Sequence, residues 1–180
     1  ERLAVDARAD GSLAVDVFLR SLTETAQVTA RLFDDSLTAV GSPITASIIA
    51  SQTKVTLQGT FTGIKPWTAE TPNRYRLAVE LSTSSGVRHA VRENIGFRTI
   101  EVKAGNGIYV NGTKVMLKGL TRHCFWPESG RALSRQRSLD DVQLLKRINV
   151  NAVRNSQYPA DRQFFESADA LVLYILDEIL

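Results

Sequence analysis

Three small clusters of polar residues close apolar runs in the second half of this chain: Arg122-His123, Arg154 with Gln157-Tyr158, and Asp177-Glu178. Each type brings its own chemistry. Histidine titrates near neutrality, carboxylates can act as acids, bases or nucleophiles, and arginine holds anions. Glutamine and tyrosine donate and accept hydrogen bonds. A charged group that ends an apolar strand needs a partner, so Arg154 is expected to pair with Asp177, Glu178 or solvent. Asp140-Asp141 also resembles general-acid material, but helix capping accounts for it. Cys124 has no flanking base and reads as an inert buried thiol. As the single cysteine it excludes an intramolecular disulfide and a cysteine-based metal site.

The elements that must carry these clusters alternate between strands and helices. Ser138-Leu139-Asp140-Asp141 fits a capping-box variant, and the helix it would open carries Leu139, Val142, Leu145 and Ile148 on one stripe. Val150 to Arg154 reads as a strand. Pro159 precedes a second helix with Phe164, Phe165, Ala168 and Leu171 as its apolar face. Val172 follows that helix, and a β-branched residue is poor in a left-handed cap, so the helix is expected to end without one. Leu173-Tyr174-Ile175-Leu176 is a continuous apolar run, as in a parallel strand covered on both faces. This order marks the start of an α/β fold, and in a barrel the C-terminal strand ends line the active face.

The first hundred residues have period two instead. Apolar runs at 13–19 and 26–33 are followed by similar pieces at 44–49, 54–57, 75–81 and 87–93. Asp34-Asp35-Ser36, Gly41-Ser42-Pro43 and Ser84-Ser85-Gly86 read as turns between them. Short strands at this spacing predict an antiparallel, immunoglobulin-like β-sandwich, without the Cys-Trp-Cys framework of antibody domains. Phe18 and Phe33 fall in core-like alternation. Trp67 adjoins a proline turn and reads as a core or interdomain anchor, while Trp126 suits stacking on a ligand and packing equally. Asn111-Gly112 between two short runs signals a type I′ hairpin turn, which is preferred over reading Asn111-Gly112-Thr113 as a glycosylation sequon. The predicted division is an all-β sandwich over residues 1–101 and a partial α/β barrel segment over residues 102–180.

Composition narrows the function classes. At 43 % apolar, the chain is an ordinary globular protein. A net charge of +3 with scattered arginines offers no basic patch for nucleic acid. No apolar run reaches the length of a membrane span, and no signal peptide is visible at a start that lacks methionine. Localisation is left unknown, with the cytoplasm slightly favoured. No cofactor or metal is expected.

The chain resembles glycoside hydrolase family 2, the β-galactosidases, β-glucuronidases and β-mannosidases. The resemblance runs in order through 65–75 (Lys65-Pro66-Trp67 to Asn73-Arg74-Tyr75), Gly96-Phe97-Arg98, Val110-Asn111-Gly112, Leu117-Lys118-Gly119, Arg122-His123, 151–159 (Asn151-Ala152-Val153-Arg154 to Tyr158-Pro159) and Leu176-Asp177-Glu178. It covers the chain from about Pro66 onward, and the preceding strands match the family's immunoglobulin-like domain in pattern only. The resemblance implies a retaining glycosidase that cleaves terminal β-glycosidic bonds, galactosides or glucuronides, by double displacement with two glutamates on later barrel strands. Retention needs two carboxyls about 5–5.5 Å apart. Asp177 and Glu178 are consecutive on a strand, point to opposite faces, and cannot be that pair. The acid/base and nucleophile are therefore expected to be absent from this chain. His123, Arg154, Gln157, Tyr158, Asp177 and Glu178 would bind the carbohydrate or brace the site. Gln157 replaces the histidine usual in the Ser-His-Tyr-Pro motif, so a proton-linked role there is excluded, and the lack of a Trp-Gly-Gly run argues against mannosides.

Two other readings are carried. One is a non-catalytic β-sandwich module that binds carbohydrate or a partner. The other is a complete small enzyme acting through His123 and Glu178. Self-association through an open barrel edge is also expected.

Overall fold

The computed structural model describes residues 2–20 and 22–178, and the described residues fall into two compact units, one up to 67 with 73–99 and the other 68–72 with those from 100 onward. The first is all-β. It comprises β1 (Arg2–Ala7), β2 (Ser12–Phe18), β3 (Ala26–Phe33), β4 (Ala39–Ile48), β5 (Lys54–Thr60), β6 (Tyr75–Thr83) and β7 (Gly86–Ile95). Antiparallel pairing gives one sheet in the order β1-β2-β5 and another in the order β4-β3-β6-β7. Alternation decides which residues meet between them. Leu13, Val15 and Val17 of β2 join Val28, Ala30 and Leu32 of β3 and Leu77, Val79 and Leu81 of β6 in one buried cluster. This is the immunoglobulin-like sandwich that the period-two pattern predicts.

Several expectations need correction. Arg2–Ala7, which precedes the first apolar run read from the sequence, is a further strand. Gly41-Ser42-Pro43 is no turn, because β4 runs through it, with a register shift opposite Ala30 and Leu32 that accommodates the extra residues. Proline is tolerated there because β4 is an edge strand. Phe18 and Phe33 are out of phase with the core: each ends its strand half-buried, on the face opposite Val17 and Leu32. Cations close over the Phe18 ring, Arg2 at 4.6 Å and Lys54 at 5.4 Å. Trp67 is a core residue, 2 % exposed. Its backbone N–H donates to the Phe97 carbonyl at 2.8 Å, and the Arg98 guanidinium lies 4.8 Å from its ring.

The second unit opens with an antiparallel meander of β8 (Ile100–Lys103), β9 (Gly107–Val110) and β10 (Thr113–Lys114). Asn111 and Gly112 turn between the last two strands at φ 51° and 79°, the paired positive angles of the predicted I′ hairpin. Then come β11 (Gly119–Arg122), α1 (Arg135–Arg147), β12 (Ala152–Asn155), α2 (Arg162–Leu171) and β13 (Tyr174–Asp177). The three strands pair in parallel in the order β11-β12-β13, the expected partial α/β barrel segment. Val142 and Leu145 of α1, Val153 of β12, and Phe164 and Ala168 of α2 form its core with Leu173.

The helix ends differ from expectation. Ser134, not Ser138, caps α1, accepting from the Arg137 N–H at 3.3 Å. Ser138 lies one turn inside, fully buried, and donates to the Asp161 carboxylate at 3.0 Å. Asp161 in turn caps α2 by accepting from the Phe164 N–H at 2.9 Å. Asp140 and Asp141 are thus not capping residues. Asp140 accepts from Gln136 and Asp141 from Arg122. Of the predicted α1 stripe, Val142 and Leu145 are buried, Leu139 is partly covered, and Ile148 is exposed beyond the helix. Val172, expected to avoid the left-handed region, occupies it at φ 75°, ψ 56°. Its N–H donates to the Ala168 carbonyl at 2.8 Å and its own carbonyl accepts from Lys146 Nζ at 3.3 Å, while the next residue, Leu173, is buried. Burial of Leu173 and these two bonds outweigh the local preference of a β-branched residue.

Candidate functional site

The parallel register fixes which side chains share a face. Leu120, Val153 and Ile175 stand in one row, with Arg122, Asn155 and Asp177 in the next row on that face. Val153 packs into the helix-covered core, so this is the helix side. Alternation puts Thr121, Arg154 and Leu176 on the other face, and all three are exposed. Close approach of β11 and β12 depends on Gly119, where a Cβ would lie 2.7 Å from the Ala152 carbonyl oxygen.

Arg154, Gln157 and Glu178 come together on the helix-free face. Arg154 Nη2 donates to Glu178 Oε2 at 2.9 Å, the pairing expected from its place at a strand end. The same oxygen accepts the Gln157 backbone N–H at 2.8 Å. That second bond requires the turn after β12, in which Gln157 adopts φ 68°. The Gln157 side chain is exposed. A guanidinium and a backbone amide thus converge on one carboxylate, an arrangement that fixes a negative charge beside the strand ends.

His123 and Tyr158 form a second group. The His123 side chain is exposed, with its ring 6.4 Å from the Tyr158 ring. Tyr158 donates its hydroxyl to the Cys124 carbonyl at 3.1 Å, and Arg131 stacks 3.6 Å from its ring centroid. Cys124 is buried, and its Sγ accepts from Arg122 Nη1 at 3.0 Å. Trp126 is half-buried with the Arg137 guanidinium 4.0 Å from its ring, which engages one aromatic face. Asp177 stands apart from both groups. It accepts from Asn155 Nδ2 at 3.1 Å, in the helix-side row.

Sequence groups Arg122 with His123 and assigns Asp141 to helix capping, but it does not foresee that Arg122 and Asp141 pair, nor that Arg131 stacks on Tyr158. Arg122 Nε and Nη2 donate to Asp141 Oδ2 at 2.8 and 2.6 Å, and Phe164 lies under the guanidinium at 4.1 Å. The signal available was a charged residue ending an apolar strand beside His123. Its partner is 19 positions away, at no helical or strand spacing. Among the described residues, no group of three His, Cys, Asp or Glu side chains is placed to hold a metal. No described helix is long and apolar enough to cross a membrane.

Comparison with known proteins agrees with this architecture. Residues 2–98 match the model of glycosyl hydrolases family 2, and residues 100–179 match that family's TIM barrel domain. A β-galactosidase of Photobacterium profundum is 35 % identical over 94 % of this chain and 17 % of its own length. A β-galactosidase of Pseudoalteromonas haloplanktis is 43 % identical over 63 % of this chain and 11 % of its own. Among solved structures, a β-glycosidase from Bacteroides vulgatus superposes with a TM-score of 0.82 at 20 % identity, covering 98 % of this chain and 23 % of that one. A β-glucuronidase from Ruminococcus gnavus in complex with D-glucuronic acid gives 0.78 at 25 % identity, covering 98 % and 29 %. The chain therefore spans under a third of these proteins. With both family models matched in sequence order across a sandwich and the first strands of a parallel barrel, the chain belongs to glycosyl hydrolase family 2.

Proposed function

We propose that this chain supplies one wall of the sugar site of a retaining glycosidase acting on terminal β-galactosides or β-glucuronides. The observation that carries the reading is the convergence of Arg154 and the Gln157 N–H on Glu178, at the C-terminal ends of parallel strands and on the helix-free face. Active sites of such barrels form at that end. His123, Gln157 and Tyr158 offer hydrogen bonds to sugar hydroxyls. Arg154 and Glu178 brace the site. Asp177 is the weakest member, since its carboxylate is paired with Asn155 in the helix-side row.

The double displacement itself requires two carboxyls flanking the reacting carbon. Asp177 and Glu178 belong to opposite faces, and Glu178 is already held by two donors. We therefore assign the acid/base and the nucleophile to glutamates outside these 180 residues. The proposed domain division is at residues 1–101 and 102–180, with carbohydrate as the partner of the second part; the compact units divide slightly earlier, with β8 from Ile100 paired to β9 in the second. Nothing in the charge pattern calls for nucleic acid or membrane. We also infer self-association of the isolated chain, since β11 and β13 are the edges of the described parallel sheet and Leu120 and Leu176 are 38 % and 42 % exposed.

The alternative of a carbohydrate-binding sandwich needs an aromatic platform. Phe18 and Phe33 belong to different sheets, and Phe18 is covered by two cations. That disfavours it. Hydrolysis of chromogenic β-galactoside and β-glucuronide by the purified chain tests the assignment. No turnover above background is expected. Turnover abolished by Glu178→Gln would mean that a complete site lies within this chain.

A further inference from the structure

We propose that the Arg122–Asp141 pair is a positioning device for His123, a role that rests on reading His123 as a sugar-facing residue. His123 is exposed, yet both its neighbours are buried, Arg122 at 8 % and Cys124 at 6 %. Each neighbour is anchored to a different element. On one side, the Arg122 guanidinium reaches through the helix layer to Asp141 of α1, lies on the Phe164 ring of α2, and gives its remaining arm to Cys124 Sγ. Its carbonyl accepts from the Ser156 N–H at 3.0 Å. On the other side, the Cys124 carbonyl accepts from Tyr158.

Alternation explains why the anchor acts on the site. Arg122 points to the helices, so the next residue projects the other way. The direction of His123 is therefore set by where Arg122 is fastened. Hydrophobic packing alone would leave Arg122 costly. An arginine whose side chain is 7 % exposed must keep its donors bonded, and Asp141 receives two of them. Asp141 is thus the group that fixes the Arg122 side chain, and through it the segment Arg122-His123-Cys124. Among the described residues, Asp141 is the carboxylate that accepts from Arg122.

Nuclear magnetic resonance of the full chain tests this, because it contains only two histidines. His89 lies on β7 in the sandwich unit and serves as an internal control. In the unaltered chain, His123 should give one sharp set of imidazole signals and a cross-peak to the Tyr158 ring. Asp141→Asn should broaden those signals and remove the cross-peak, while the Leu145 and Val153 methyls and His89 keep their shifts. Asp141→Glu should restore the cross-peak. Unchanged His123 signals in Asp141→Asn, with those methyls in place, would overturn the proposal. Collapse of the Leu145 and Val153 methyls together with the His123 signals would overturn it too, showing that the pair holds the layer rather than the histidine. The measurement needs no sugar, so it stands apart from the reading of His123 itself, which would fail instead if His123→Ala left hydrolysis by the parent glycosidase unchanged.

Discussion

Glu178 and Gln157 are joined through a single atom: Oε2 of Glu178 accepts the Gln157 backbone N–H at 2.8 Å while also holding Arg154 Nη2 at 2.9 Å. Gln157 needs that bond, because it stands at φ 68° without being glycine. The carboxylate therefore sets the backbone of the turn that carries Gln157 and Tyr158. Glu178→Ala is expected to destabilise the barrel unit by about 1 kcal/mol, the size of a charge-assisted bond discounted for a half-exposed pair. It should also speed hydrogen exchange at the Gln157 amide. Arg154→Ala should leave that amide protected. Equal exchange rates in Glu178→Ala and the unaltered chain would refute the link.

The left-handed Val172 invites a stabilising substitution. An L-residue at φ 75° is strained by roughly 1–2 kcal/mol, and glycine removes that strain while adding unfolded-state entropy worth about 0.5–1 kcal/mol. Val172→Gly is expected to raise the stability of the barrel unit by about 0.5 kcal/mol, with Asn smaller in the same direction. Urea unfolding followed by Trp126 fluorescence in a Trp67→Phe background reads the change. A lower midpoint for both variants would show that the Val172 side chain contributes more than its backbone costs.

What could be read from sequence divides along a physical line. Period-two alternation and the Asn111-Gly112 turn are local signals, and the structure follows them. The apolar run at Leu173 to Leu176 does give a parallel strand, but not one covered on both faces, since Leu176 is 42 % exposed on the helix-free face. The pairing of Arg154 was legible because a charge at a strand end needs a counter-charge at a neighbouring strand end. Arg122 obeyed the same rule, but its partner Asp141 lies on a helix that only the tertiary fold brings near. The cap of α1 was misplaced by one turn because Ser134 and Ser138 are both competent caps, and burial of Ser138 against Asp161 decides between them. Phe18 illustrates the opposite failure. Its type suggested core, while its parity in β2, two residues from Asp16, put it on the outer face.

The open parallel sheet makes a prediction about the chain in solution. Edge strands expose unpaired backbone groups and template association. Leu176 of β13 and Leu120 of β11 add exposed apolar surface at those edges. Light scattering should give a mass above the 19.9 kDa monomer, and Leu176→Lys should lower it. A monodisperse monomer with slow amide exchange from Leu173 to Leu176 would contradict the prediction.

Acid should loosen the sandwich through Asp16. Lys54 and Thr56 both hydrogen-bond its carboxylate, and these two contacts hold its pKa below the ordinary 3.8. Lys54 Nζ lies 2.8 Å from Oδ2 and Thr56 donates to Oδ1 at 2.6 Å, so the carboxylate of β2 is tied to β5. Asp10 is lowered in the same sense, chiefly by the Ser12 backbone N–H. The sign follows from linkage. A depressed folded-state pKa favours the folded form above the unfolded value, and that contribution disappears as pH falls from 3.8 through the lower folded value. Stability of the sandwich unit, followed by Trp67 fluorescence in a Trp126→Phe background, should fall over that interval. Asp16→Asn should flatten the fall and leave the dependence on Asp10 in place. An identical slope in the two proteins would mean that the β2–β5 contacts are as well populated in the unfolded chain as in the sheet.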